Sequence, residues 1–142
     1  MGSVHYTKIW KSILDFSKGK LIFEGEILYD HKLKGKEYYD FCILEFEGEY
    51  LNGKRNGKGK EYKYGELEFD GEYLNGKKWN GKAKEYEYDK LKFEGEYING
   101  ERNGKAKEYD YYNGKIKFEK EYLNGNVKWR RYHSDGFGYL SG

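Results

Sequence analysis

The chain has 142 residues, 37% of them hydrophobic, 37% charged and 20% aromatic, with a net charge of +2 from 27 Lys plus Arg against 25 Asp plus Glu. That near-balance gives no global reason for nucleic acid or an anionic membrane as partner. The single cysteine, Cys42, excludes an internal disulfide framework, and no apolar run reaches membrane-spanning length.

Seventeen Tyr and eight Phe argue for a folded, strand-rich chain, because disordered chains are poor in aromatics. Twenty Gly and no Pro suit many tight turns between paired strands. Residues 1–142 read as one domain. Met1 to Trp10 lacks the apolar stretch of a secretory signal. With its lone cysteine, the chain reads as cytoplasmic.

In chain order, residues 1–20 form a leading half-repeat or cap, with Tyr6–Asp15 the cap candidate. Residues 21–45 hold a degenerate repeat that opens at Phe23 as FEGEILYDHKLKGKEYYDFCILE. Three full repeats follow at 46–68, 69–92 and 93–117: FEGEYLNGKRNGKGKEYKYGELE, FDGEYLNGKKWNGKAKEYEYDKLK and FEGEYINGERNGKAKEYDYYNGKIK. Residues 118–142 open as FEKEYLNGNVKWRRY, a partial repeat that runs into a C-terminal cap at Lys128–Leu140. A period of this length is the signature of a stacked-repeat architecture.

Each unit has two alternating runs around an Asn-Gly turn. Leu67, Phe69, Gly71 and Tyr73 share one face, and Glu68, Asp70 and Glu72 the other, as in a half-exposed strand. The second run in the first full repeat is Lys58 to Tyr64. Folding the hairpin about Lys54–Arg55 sets Tyr50 opposite Gly59 and Glu49 opposite Lys60. Tyr97 then faces Ala106, and Glu96 faces Lys107. The expected fold is an all-β, elongated, twisted single-layer solenoid of tandem antiparallel β-hairpins. With about ten strands at 4.7–4.9 Å, its length is roughly 45–50 Å.

The repeats resemble the MORN-repeat family, including the second subclass common in bacteria. The shared pattern is an aromatic, x, Gly, Glu, aromatic, then Asn-Gly-Lys-x-x-Gly-x-Gly. Phe46-Glu47-Gly48-Glu49-Tyr50 and Asn52 to Gly59 carry it most fully. Ala83 and Ala106 depart from it, and Trp79 enlarges one turn. The resemblance implies a scaffolding, membrane-apposed or partner-binding role and no catalysis.

The residues themselves carry no catalytic signature. Glu47/Glu49 and Glu94/Glu96 recur in every unit on the polar face and read as solvated strand charges. His5, His31 and His133 share no metal-ligand spacing, so no metal or other cofactor is expected. Binding candidates remain. Tyr62/Tyr64, Tyr86/Tyr88 and Tyr109/Tyr111 occupy matching places in successive units. Left uncovered, they line a concave face for a protein or peptide; otherwise they are core. Trp79, among lysines in a turn, is either an interface anchor or a residue folded onto the next turn. Lys128, Arg130 and Arg131, interleaved with Trp129 and Tyr132, form a candidate anion or phosphate site. With the Lys-rich turns they support the alternative of a phosphoinositide or anionic-membrane adaptor. Open strand edges allow self-association.

Overall fold

The computed structural model describes residues 9–15, 20–39 and 43–133. His5, Cys42 and parts of both cap candidates lie outside the described residues. The chain forms β1 (Ile9–Asp15), β2 (Lys20–Leu28), β3 (His31–Tyr39), β4 (Ile43–Leu51), β5 (Lys54–Lys63) and β6 (Glu66–Leu74). It continues with β7 (Lys77–Glu87), β8 (Lys90–Ile98), β9 (Glu101–Tyr109), β10 (Ile116–Leu123) and β11 (Asn126–Tyr132). The eleven strands make one open sheet in chain order. All-β architecture as a meander of antiparallel hairpins is therefore what the repeat pattern predicts. The leading segment contributes a paired strand, β1.

The turns follow from residue chemistry. Asn52 and Gly53 both hold positive φ, at 51° and 77°. Asn75-Gly76, Asn99-Gly100 and Asn124-Gly125 repeat this. Two successive left-handed residues make the turn that matches strand twist, and Asn-Gly is the pair that tolerates it best. Beyond each turn the neighbouring repeat is latched on. The Asn75 amide donates to Asn56 Oδ1 at 3.1 Å, and the Asn99 amide to Asn80 Oδ1 at 3.0 Å. Gly76 and Gly100 donate to the carbonyls of Arg55 and Trp79 at 2.8 and 2.9 Å. The second Asn of each repeat thus fixes the next turn in place.

The predicted cross-strand register is corrected by two residues. Gly48 pairs with Gly59, and Glu47 with Lys60, whereas Tyr50 sits opposite Arg55. Likewise Glu94, not Glu96, faces Lys107. The turn closes at Asn52-Gly53, and the surplus residues of β5 leave the ladder as a bulge beside Glu49. The Glu49 carboxylate accepts the Lys58 amide there at 2.9 Å.

This register builds the core. Phe23, Phe46 and Phe69 are fully buried although the sheet is a single layer. Phe46 lies over the glycine pair: a Cβ on Gly48 or Gly59 would stand 2.8 or 2.7 Å from its ring. Tyr50 and Tyr73 meet it edge-on at 5.6 and 5.2 Å. The Arg55 guanidinium closes the top, 4.1 Å from the ring centroid. The same arrangement recurs, with Lys32 over Phe23 at 4.6 Å and Arg102 over Phe93 at 3.9 Å. Each edge-to-face ring pair adds about 0.5–1.5 kcal/mol beyond burial. Each cation over a ring adds about 0.5–2 kcal/mol.

Carboxylates tie the cations down. Glu37 accepts from Arg55 Nε and Nη2 at 3.0 and 2.6 Å, and Glu85 accepts from Arg102 at 2.8 Å. The Tyr73 hydroxyl donates to Glu61 at 2.7 Å, and the Tyr97 hydroxyl to Glu85 at 3.1 Å. Burial, reinforced by these carboxylates, pushes Tyr73 and Tyr97 above the ordinary phenol range. Burial and its bond to Glu94 push Tyr109 up to about 12. Below pH ~10 a free tyrosine and these tyrosines are both neutral. Between pH ~10 and ~12 the unfolded chain loses phenolic protons first, so stability falls as pH rises through that window. Denaturant midpoints against pH should show this drop. A tyrosinate absorbance titration in which all seventeen tyrosines ionise together near pH ~10, with the fold intact, would contradict it.

Candidate functional site

Opposite the aromatic face lies a face of charges. Strand alternation turns the residues on either side of each glycine outward. On β4 these are Glu47 and Glu49 around Gly48; on β6, Asp70 and Glu72 around Gly71. On β3 they are Lys34 and Lys36 around Gly35; on β5, Lys58 and Lys60 around Gly59. The sheet therefore alternates an acidic strand with a basic one. Lys36, Glu47, Lys60, Asp70 and Lys82 stand directly across from one another in turn. From β7 on, the pattern continues through Lys84, Glu94, Lys107, Glu119 and Arg131. Each such exposed cross-strand pair adds about 0–1 kcal/mol.

The glycines between the charges leave a groove. One stretch of 580 Å³ runs over β3 to β6, floored by Gly35, Gly48, Gly59 and Gly71. A second, of 590 Å³, runs over β7 to β11 with Ala83, Gly95 and Ala106 in its floor. Trp79 lines neither of them. It is the extra residue of its hairpin, and the β6–β7 pairing absorbs it by sliding. Gly71 meets Gly81 rather than Ala83, and Phe69 meets Ala83.

The tyrosines take two different positions. Tyr62, Tyr86 and Tyr109 are half-buried on the charged face beside the groove wall. The Tyr62 hydroxyl donates to Glu47 at 3.1 Å and that of Tyr109 to Glu94 at 2.8 Å. They are not the core tyrosines, which are Tyr50, Tyr73 and Tyr122. Tyr64, Tyr88 and Tyr111 are not on that strand face at all. Tyr64 and Tyr88 occupy the connections between hairpins with φ of 53° and 57°, and are 59% and 68% exposed. The two-residue closure of each connection forces this: Lys63 pairs with Glu66, and Glu87 with Lys90. Tyr111 lies in the longer connection from β9 to β10, beside the 90% exposed Tyr112. Lys90 Nζ sits 4.3 Å from the Tyr111 ring.

Trp79 is not a free anchor. Its ring lies against Gly100 in the next turn, where a methyl group would come within 3.0 Å of it. This inward packing is the second of the two readings of that residue. In the basic tail, Arg131 faces Glu119 at 3.9 Å. Arg130 turns to the aromatic face, 5.9 Å from the Phe118 ring, and Lys128 is exposed. The three cations do not converge. Among the described residues no cluster of His, Cys, Asp or Glu could hold a metal ion.

The MORN repeat family model matches residues 46–64 and 93–114, the start of the first and third full repeats. The chain carries MORN repeats. The hairpin between the two matches, at β6–β7, has the same Phe, Tyr, Asn-Gly turn and latch. MORN repeats are non-catalytic modules associated generally with protein or membrane binding. No curated protein matches the chain.

Sequence reasoning missed the cations over the Phe rings. Their signal was present: Lys32, Arg55, Lys78 and Arg102 each stand two residues beyond the second turn residue.

Proposed function

We propose that this chain is a non-catalytic protein-binding module that presents its tyrosines to an extended segment of a partner. The observation that carries the reading is the conformation of Tyr64 and Tyr88. A left-handed backbone costs a bulky residue about 1–2 kcal/mol relative to the favoured region. Gly or Asn would sit there freely, as they do at four of the five described turns on the opposite edge, the fifth being Tyr29-Asp30. An exposed aromatic ring held at that cost contributes nothing visible to the core. Tyr offers large contact area with a polar tip and little rotamer entropy to lose. Successive hairpin connections are two strand widths apart, about 9.6 Å, in the direction across the strands. A partner segment running along this margin reaches Tyr64, Tyr88 and Tyr111, with Tyr62, Tyr86 and Tyr109 just inside it.

The test is a pair of substitutions that suits the backbone and removes the rings. Tyr64→Asn with Tyr88→Asn should leave the melting temperature unchanged or raise it, since Asn accepts positive φ. Partner capture from the native source, compared protein by protein with the parent chain, should fall at least about tenfold, the range for losing aromatic anchors. Undiminished capture by the doubly substituted chain would overturn the reading. The anionic-membrane alternative makes a different demand. It needs a surface of one sign, whereas the charged face alternates sign at every strand. Flotation with phosphatidylserine vesicles at low salt distinguishes the two.

A further inference from the structure

We infer that the charged face is complementary to itself and that its partner is a second copy of this chain. This goes beyond the tyrosine margin and does not depend on it. From β2 to β11 the outward residues run acidic, basic, acidic, basic, without a break in sign. Lys82 and Lys84 keep the alternation at β7, and Lys105 and Lys107 at β9. At β10, Glu119 and Glu121 keep it, and Lys120 turns to the other face to bond Glu108 at 2.7 Å. Arg131 supplies the positive end on β11.

Ten stripes of alternating sign, an even number, begin with one sign and end with the other. A second copy turned end for end, about an axis parallel to the strands between β6 and β7, therefore sets unlike stripes together throughout. β2 lies over β11, β3 over β10, β4 over β9, β5 over β8 and β6 over β7. A copy laid in the same order sets like over like. The charge pattern thus selects one arrangement, a closed twofold pair.

Three properties of the face fit this occupant. All eight stripe lysines on β3, β5, β7 and β9 are exposed, on flexible stems that can reach across. The glycine floor keeps the surface low between the two walls of charge. Ten strands at about 4.8 Å, with a width of roughly five residues, offer about 800 Å² per partner, the size of a standard specific interface. A net charge of +2 adds little repulsion between copies.

The decisive measurement is sedimentation equilibrium of the full chain at two salt concentrations. At about 0.01 M salt charges act over roughly 30 Å, and at about 1 M over roughly 3 Å. The chain should be dimeric in the first and at least about tenfold weaker in self-association in the second. Two variants then locate the contact. Lys58→Glu with Lys60→Glu makes β5 acidic, and Glu94→Lys with Glu96→Lys makes β8 basic. Each variant alone opposes like charges where β5 meets β8 and should lose about tenfold or more in self-association. Mixed together, they restore unlike pairs at both symmetric contacts and should form a heterodimer. A chain that stays monomeric at low salt overturns the inference without any variant. So does association that ignores salt and both reversals, which would place the contact at the open strand edges. Capture of a different protein by this face, with no dimer, also overturns it.

Discussion

Phe46→Ala should lower the unfolding free energy by about 3–5 kcal/mol, the range for deleting a buried phenyl ring. The ring is fully buried and is enclosed on four sides by unlike groups: two glycines, two tyrosine edges and a guanidinium. Its loss leaves Tyr50 and Tyr73 without the ring they share, and strands the Arg55–Glu37–Glu61 charges over a void. The damage is also positional. In a repeat array each unit is held only by its neighbours. Removing Phe46 breaks the chain of ring contacts that runs from Phe23 through Tyr50, Phe46, Tyr73 and Phe69 to Tyr97. Denaturant unfolding should therefore shift to lower concentration and broaden, as the hairpins on either side separate. Tyr112→Ala, at a 90% exposed ring, should stay within about 0.5 kcal/mol of the parent. Equal effects of the two substitutions would refute the enclosed-ring account.

Gly48→Ala should cost about 1–3 kcal/mol, and more than Gly59→Ala, although the two glycines face each other across one hairpin. A Cβ on Gly48 would stand 2.5 Å from the Lys58 carbonyl oxygen and 2.7 Å from the Gly59 Cα, both backbone atoms of the partner strand. A Cβ on Gly59 would meet ring atoms of Phe46 and Tyr73, at 2.7 to 3.0 Å. Rings can tilt, whereas a paired backbone moves only with its ladder. The sequence already contains the milder change, since Ala83 and Ala106 stand where Gly59 does in the other full repeats. Both alanines are buried, and the pairing around each differs from that at Gly59. Thermal melts of the two variants decide the order, and the reverse ranking would show that ring packing, not strand approach, sets the glycine requirement.

Much of this fold is legible in the sequence because the repeat writes it several times. Phe46, Phe69 and Phe93 recur with Gly two residues on, and Asn-Gly follows at a fixed distance. Period two on each run then fixes strand, face and turn together. Register was not legible, for a physical reason. Counting inward from a turn assumes a ladder without bulges, yet Asn56, Gly57 and Lys58 include residues that leave it. The close approach of two glycines under one Phe ring decides the register, and alternation alone carries no trace of that distance.

The candidate site was legible in part. Of the Tyr pairs, Tyr62, Tyr86 and Tyr109 lie on the charged face, where Tyr62 and Tyr109 bond Glu47 and Glu94. Pairing Tyr62 with Tyr64 on one strand face failed because Gly65 makes the turn begin at Tyr64. The groove itself was hidden in plain sight. The pairs Glu47/Glu49 and Glu94/Glu96 read as solvated charges in the sequence, and only the sheet order turns them, with the lysines on the strands between, into stripes with a shared floor.

The extra residue at Trp79 has a consequence for how such arrays change length. An odd insertion ought to turn every later side chain inside out, since strand faces alternate with period two. Here the bulge swallows the odd residue and the pairing slides by an even step, so Ala83, Phe93 and Ala106 still face inward. The array behaves like a crystal with a dislocation. The two halves are displaced by two residues in register, and the sign of every stripe carries on across the fault, while the chain of ring contacts ends at Tyr97 and a second cluster begins with Phe93, Ala106 and Tyr122.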